Sequence, residues 1–163
     1  MRRPALLAAG CLTALTLLGS APVAGAQPGI PTPAVESSSP TRVVSVTMAT
    51  DRRAVMSVFS SSMNREIQVQ VLLPADRSVP RPSLYMLDGV SAGEESGYTE
   101  STWTQKTDAV SFFSDKAANI VLPVGGRGAY YADWARPDPV LGVNKWETFL
   151  TSELPPLIDA RFD

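Results

Sequence analysis

The stretch Ser83-Leu84-Tyr85-Met86-Leu87-Asp88-Gly89 decides the fold. It is an almost continuous apolar run that stops abruptly at Asp-Gly. Asn119-Ile120-Val121-Leu122-Pro123-Val124 repeats the pattern and stops at Gly125-Gly126. Uninterrupted apolar runs of this length suit strands covered on both faces, as in a parallel sheet. Between them, residues 101–116 fit a helix whose inward candidates are Trp103, Ala109, Val110, Phe112 and Phe113. Strand, helix and strand at this spacing predict a βαβ unit.

Upstream the pattern changes. Val43 to Thr47 is short and β-branched, and Asp51-Arg52-Arg53 is a charged turn. Ala54 to Phe59 reads as a second strand, Ser60 to Asn64 as a hairpin connection, and Ile67 to Leu73 as a third strand. Five positions of that third strand alternate apolar with polar, the period of a half-buried strand. Downstream, Asn144 is placed to N-cap a helix from Lys145 to about Ile158. Its stripe is Trp146, Phe149, Leu150, Leu154 and Leu157, and Pro155-Pro156 must bend or restart it. The predicted fold class is α/β, with a mixed sheet that is antiparallel at the N-terminal side and parallel in its βαβ unit. No repeat of 20 to 50 residues is present.

The first residues read differently. Arg2 and Arg3 precede the apolar stretch Ala5 to Leu18, and Ala24-Gly25-Ala26 gives the small-x-small pattern of a cleavage site, so residues 1–26 are expected to be a secretory signal. The apolar stretch is short for a membrane span, and the Arg pair alone is too weak for twin-arginine export. Residues 27–41, rich in Pro and Ser, are expected to form a disordered linker, which leaves 42–163 as the folded part.

Composition excludes several function classes. The 163 residues contain no histidine, so no Ser-His-Asp, Cys-His or His-metal site is complete within them. Without Arg2 and Arg3, 12 basic residues stand against 16 acidic ones, a net charge of −4. With no basic stripe, nucleic acid is not an expected partner. Cys11 is the only cysteine; it lies in the signal, fits a lipoprotein poorly and leaves no disulfide. No cofactor and no metal are expected.

Three loop motifs remain. Asp88-Gly89-Val90-Ser91 lies beyond a strand's carboxyl end, where open α/β sheets bind ligands, although Asp-Gly is also an ordinary turn. Gly125-Gly126-Arg127-Gly128 lacks the Gly-Lys-Ser/Thr ending of a phosphate loop and the helix-opening pattern of a dinucleotide loop; glycine there suits a tight turn at positive φ. Ala129-Tyr130-Tyr131-Ala132-Asp133-Trp134 suits either an acyl or sugar site or, more simply, packing across the top of the sheet. Glu94 and Glu95, adjacent in a loop, read as solvated carboxylates, with no facing pair for glycoside hydrolysis.

Five segments, in order, resemble the antigen 85 mycolyltransferases of mycolic-acid-producing actinobacteria. They are Ser62-Met63-Asn64-Arg65-Glu66-Ile67, Leu84 to Gly89, Leu122-Pro123-Val124-Gly125-Gly126, Tyr131-Ala132-Asp133-Trp134 and Lys145 to Pro155. The resemblance covers nearly all of residues 60–162 and about the first half of the family's mature domain. It implies an α/β-hydrolase fold and acyl transfer between trehalose esters, or onto arabinogalactan, through a serine acyl-enzyme. The family's nucleophile elbow, acid and histidine would follow the helix that ends near Arg161, so the resemblance implies that this stretch by itself is inactive.

Within it, Val90 matches the residue whose backbone N–H supplies half of the oxyanion hole, and Asp88 matches a trehalose-contacting aspartate. Ser91 stands where relatives have a sugar-contacting arginine, whose bidentate grip a serine cannot reproduce. The cysteine pair of several relatives is absent from residues 135–142. The implied partners are a mycolate glycolipid donor and a trehalose or arabinogalactan acceptor, with membrane contact only through the lipid substrate. The implied location is outside the cell or in the envelope of an actinobacterium. In the family's strand order the 83–87 strand would pair on one side with a strand beyond Asp163 and is otherwise a bare edge. A non-catalytic secreted module binding glycolipid or host protein, or the product of a decayed gene, is the alternative.

Overall fold

The computed structural model describes residues 39–162; the expected signal, and the expected linker up to residue 38, lie outside the described residues. Five strands form one sheet: β1 (Arg42–Thr50), β2 (Arg53–Ser60), β3 (Arg65–Leu72), β4 (Ser83–Tyr85) and β5 (Asn119–Pro123). Their order is β1-β2-β3-β5-β4. β1, β2, β3 and β5 pair antiparallel, and β4 runs parallel to β5. The predicted mixed sheet is therefore observed, with its parallel pair at one edge.

Cross-strand partners show how the alternation sorts side chains onto two faces. Met56 faces Val69, Val58 faces Ile67, and Ala54 faces Val71, which in turn faces Val121. These residues are buried under Trp146, Phe149, Leu154 and Ile158 of the C-terminal helical segment. Burying each of those four large side chains contributes about 1.5–3 kcal/mol. The opposite face carries Gln70, Leu72, Ile120 and Leu122, covered by the segment that runs from Thr99 to Phe113.

That segment departs from expectation. The single helix predicted over 101–116 is two short ones, α1 (Thr102–Lys106) and α2 (Ala109–Phe112), because Thr107 is extended at φ −131°, ψ 172° and breaks the turn. Only Ala109 of the predicted inward residues is buried, and Phe113 packs partly buried against Leu72, Ile120 and Leu122. Val110 and Phe112, beyond the break, are exposed; Trp103, before it, is 37% exposed and donates its indole N–H to the Leu87 carbonyl.

The C-terminal helix keeps its predicted stripe but not its predicted cap. It runs as α3 (Trp146–Thr148), a wide π turn over Phe149–Glu153 and α4 (Leu154–Phe162). The Leu154 N–H reaches back to the Phe149 carbonyl. Pro155 and Pro156 lack N–H groups and would clash with the carbonyls one turn before them. Widening that turn removes the clash and lets the helix continue. Asn144 does not cap the helix; its side chain is turned to the Leu141 and Gly142 carbonyls. Asp133 does so instead, its Oδ1 accepting from the Thr148 N–H at 3.1 Å and its Oδ2 from the Thr148 hydroxyl at 2.5 Å. A residue thirteen positions before the helix is invisible to any local capping rule.

The β2–β3 turn is fastened to the same helical segment. The Glu153 carboxylate accepts from Ser60 Oγ (2.5 Å), Ser61 Oγ (2.8 Å) and the Ser62 N–H (2.8 Å). Thr41, at the end of the expected linker, donates to Ser61 Oγ at 2.8 Å and accepts the Ser61 N–H.

Candidate functional site

The loops that leave the carboxyl ends of β4 and β5 meet beyond the parallel pair. The β4 loop carries Asp88, Val90 and Ser91; the β5 loop carries Gly125 to Trp134. One backbone bond joins them, from the Gly128 N–H to the Val90 carbonyl at 3.2 Å. Among the described residues the Val90 N–H donates no hydrogen bond, and the side chain is 77% exposed. An unspent amide at this place is able to stabilise a developing oxyanion.

Asp88 is 5% exposed. Its Oδ1 accepts from Ser101 Oγ (2.8 Å) and from the Thr102 N–H (2.9 Å) at the start of α1, while Oδ2 is buried without a partner among the described residues. Burial raises its pKa, against the lowering effect of those donors. The aspartate thus ties the β4 loop to the first turn of α1 and keeps one acceptor oxygen unspent. Ser91 is exposed beside the 3₁₀ turn Glu94–Ser96, its carbonyl accepting from the Glu94 N–H.

Tyr131 closes the site from the β5 side. Its hydroxyl donates to the Gly125 carbonyl at 3.0 Å, and burial, with the nearby Asp88 charge second, pushes its pKa up to about 12. The ring meets Trp146 edge-on at 5.4 Å. Gly126, at φ +85°, makes this possible: a Cβ there would lie 2.6 Å from the Tyr131 ring. Tyr130 and Tyr131 themselves have φ of 56° and 53°, a costly region for aromatic residues. Of the aromatic loop, Tyr131 and Trp134 pack against the core and Tyr130 is exposed.

Glu94 and Glu95 form surface pairs with Arg127 (2.8 Å) and Lys106 (2.6 Å). No group of three or more Asp, Glu, Cys or His side chains able to hold a metal lies among the described residues, and none of the described helices is long and apolar enough to cross a membrane. Sequence reasoning missed Ser101 and Thr102 as partners of Asp88; the only local signal was a serine preceding a helical run, which in the structure caps α1 through Trp103.

A family model described as "Putative esterase" matches residues 60–163. The chain belongs to the Esterase family. Within it, the chain is similar to the diacylglycerol acyltransferase/mycolyltransferase Ag85A of Mycobacterium tuberculosis (strain ATCC 25618 / H37Rv), 38% identical over 109 residues that cover 65% of this chain and 30% of that protein. Ag85B of Mycolicibacterium smegmatis is 38% identical over 109 residues, 64% of this chain and 31% of the relative. The antigen 85 resemblance is borne out over this part, and the esterase-family chain spans about 30% of the length of the curated relatives it matches. Among solved structures, an S-formylglutathione hydrolase from Agrobacterium tumefaciens aligns with a TM-score of 0.49 at 20% identity, covering 74% of this chain and 48% of that one.

Proposed function

We propose that residues 88–91 form the oxyanion and acceptor side of a serine acyltransferase or esterase site of the mycolyltransferase type. The observation that carries this reading is the Val90 N–H, which donates no hydrogen bond among the described residues, in an exposed residue at the end of a parallel strand pair of an esterase-family chain. In the reaction a serine oxygen attacks the ester carbonyl, and the carbonyl oxygen takes up negative charge. Val90 N–H is one of two backbone donors that stabilise this charge, and Asp88 and Ser91 face the sugar acceptor. The donor is a mycolate glycolipid and the acceptor trehalose or arabinogalactan, outside the cell or in its envelope.

Because the 163 residues hold no histidine, they do not by themselves contain the base of such a triad. The 163-residue chain is therefore expected to hydrolyse no p-nitrophenyl butyrate above the rate of its Val90→Pro variant. Joined after residue 163 to the remaining part of the M. tuberculosis Ag85A relative, it is expected to gain hydrolysis. In that fusion Val90→Pro should lower kcat by about 10²–10³-fold, the effect of losing one oxyanion donor. An unchanged kcat, with circular dichroism showing an intact fold, would remove Val90 from the mechanism. Glycolipid binding by the 163-residue chain with no hydrolysis by the fusion would favour a binding module.

A further inference from the structure

A cavity of about 490 Å³ opens beside the Gly125-Gly126 turn, and its wall includes none of Asp88, Val90 or Ser91. It opens where β3 outruns β5: pairing between the two strands begins at Val69 and Pro123, so Arg65, Glu66 and Ile67 border the opening. Most of the remaining wall is apolar, from Trp146, Leu141 and Val124.

Arg65 is the unusual member of that wall. Its guanidinium is partly buried, which lowers its pKa, and it touches only neutral acceptors. These are the Leu141 carbonyl (3.3 Å), Asn144 Oδ1 (3.4 Å) and Met63 Sδ (3.3 Å), with the Trp146 ring 5.8 Å away. No carboxylate pairs with it among the described residues. The other charges of the wall are already engaged: Glu66 by Ser57 Oγ at 2.5 Å, and Arg127 by Glu94 at 2.8 Å. Trp146, 1% exposed, also keeps its Nε1–H without an acceptor among the described residues. A desolvated cation with long, neutral hydrogen bonds gains from an anion that brings short, charge-assisted ones. A single guanidinium fork fits one carboxylate, and a volume of this size fits a small organic molecule.

We propose that the cavity between Arg65 and Trp146 binds a small organic carboxylate with an apolar body. The cavity shares the Gly125–Arg127 turn with the β5 loop but not Asp88, Val90 or Ser91, and its test does not depend on those three residues. Phenylacetate and its neutral isostere phenylacetamide are titrated into the 163-residue chain and followed by calorimetry and ligand-observed NMR. Phenylacetate should saturate, with phenylacetamide about tenfold weaker or more, the discrimination expected of one charge-assisted pair. Arg65→Gln should bring the acid down to the level of the amide. Arg65 also links β3 to residues 141–144, so a second variant keeps the charge: Leu141→Trp fills the cavity and should weaken phenylacetate more than about tenfold with the melting curve unchanged. Equal affinity for acid and amide would overturn the proposal, as would undiminished binding in Leu141→Trp. Failure of phenylacetate to saturate below about 20 mM would do the same, since even ordinary ligand efficiency at this size predicts binding in that range.

Discussion

The two faces of the sheet are covered by different physics. On one face, Met56, Val58, Val69, Val71 and Val121 meet Trp146, Phe149, Leu154 and Ile158, all buried. On the other, the 99–104 segment is held by polar side chains. Gln70 Oε1 accepts from the Ser101 N–H (3.3 Å) and Thr104 Oγ1 (3.0 Å), and Arg53 pairs with Glu100 at 2.8 Å. Asp88 grips the same segment, and Leu72, Ile120 and Leu122 form only a small apolar cluster beneath it. Apolar burial is non-directional and tolerates adjustment. Hydrogen bonds to buried acceptors fix positions, but they are costly to leave unmade. Asp88 of the candidate site belongs to the side where position, rather than apolar area, holds the chain, while Tyr131 packs on the apolar one.

This contrast is open to direct challenge. The largest effect is expected from Phe149→Ala, which removes a fully buried ring from the apolar side. It should cost about 3–5 kcal/mol in urea unfolding; a loss below about 1 kcal/mol would mean that the last helix is not what seals this face.

Gln70→Leu should cost less, about 1–3 kcal/mol, by stranding the Ser101 N–H. Hydrogen exchange should then quicken at residues 101 to 104 and stay slow at Val69 and Val71. Uniform loss of protection would show that the two faces unfold as one.

The smallest effect separates two carboxylates by the sign of their pH dependence. Asp88 has a folded pKa above its unfolded value, owing to burial. The native state then binds the proton more tightly, so this group's contribution is present at low pH and is lost as pH rises through the folded pKa. Glu153 is the reverse: burial raises its pKa, but donation from Ser60, Ser62 and Ser61 outweighs this and leaves it lowered. Its contribution is present above the unfolded pKa and is lost as pH falls through the folded one. Melting temperatures taken between about pH 3 and pH 7 should therefore fall less steeply toward acid in Glu153→Gln than in the wild type. Asp88→Asn should lose the opposing term and fall more steeply. Identical slopes in both variants would contradict the assignment.

Much of this was legible from residue order. The apolar runs at 83–87 and 119–124 pointed to the parallel pair, but only β5 is buried along its whole length as such a run suggests; β4 lies at the sheet edge, with Leu84 and Leu87 of its run exposed. The alternation in 67–73 located β3, and the glycines at 125 and 126 announced a turn that only their positive φ allows. The Asp88–Ser91 loop stood out by its place beyond an apolar run, but the roles proposed for Asp88 and Val90 come from the family's motif order.

Other features depended on chain segments meeting in space. Asp133 became the cap of α3, and Gln70 and Asp88 became the acceptors for α1. Val110 and Phe112 lie beyond the break at Thr107 and are exposed, against their helical periodicity. Arg65 reads in sequence as an ordinary charged residue at a hairpin. Only the fold brings residues 141–146 against it, with neutral acceptors and no carboxylate partner among the described residues. Sequence determined which residues are apolar, which positions alternate and where glycine is required, since those follow from a residue's own chemistry and its near neighbours. The tertiary structure alone decided which polar groups are left without a partner, because desolvation and pairing depend on every segment that packs around them.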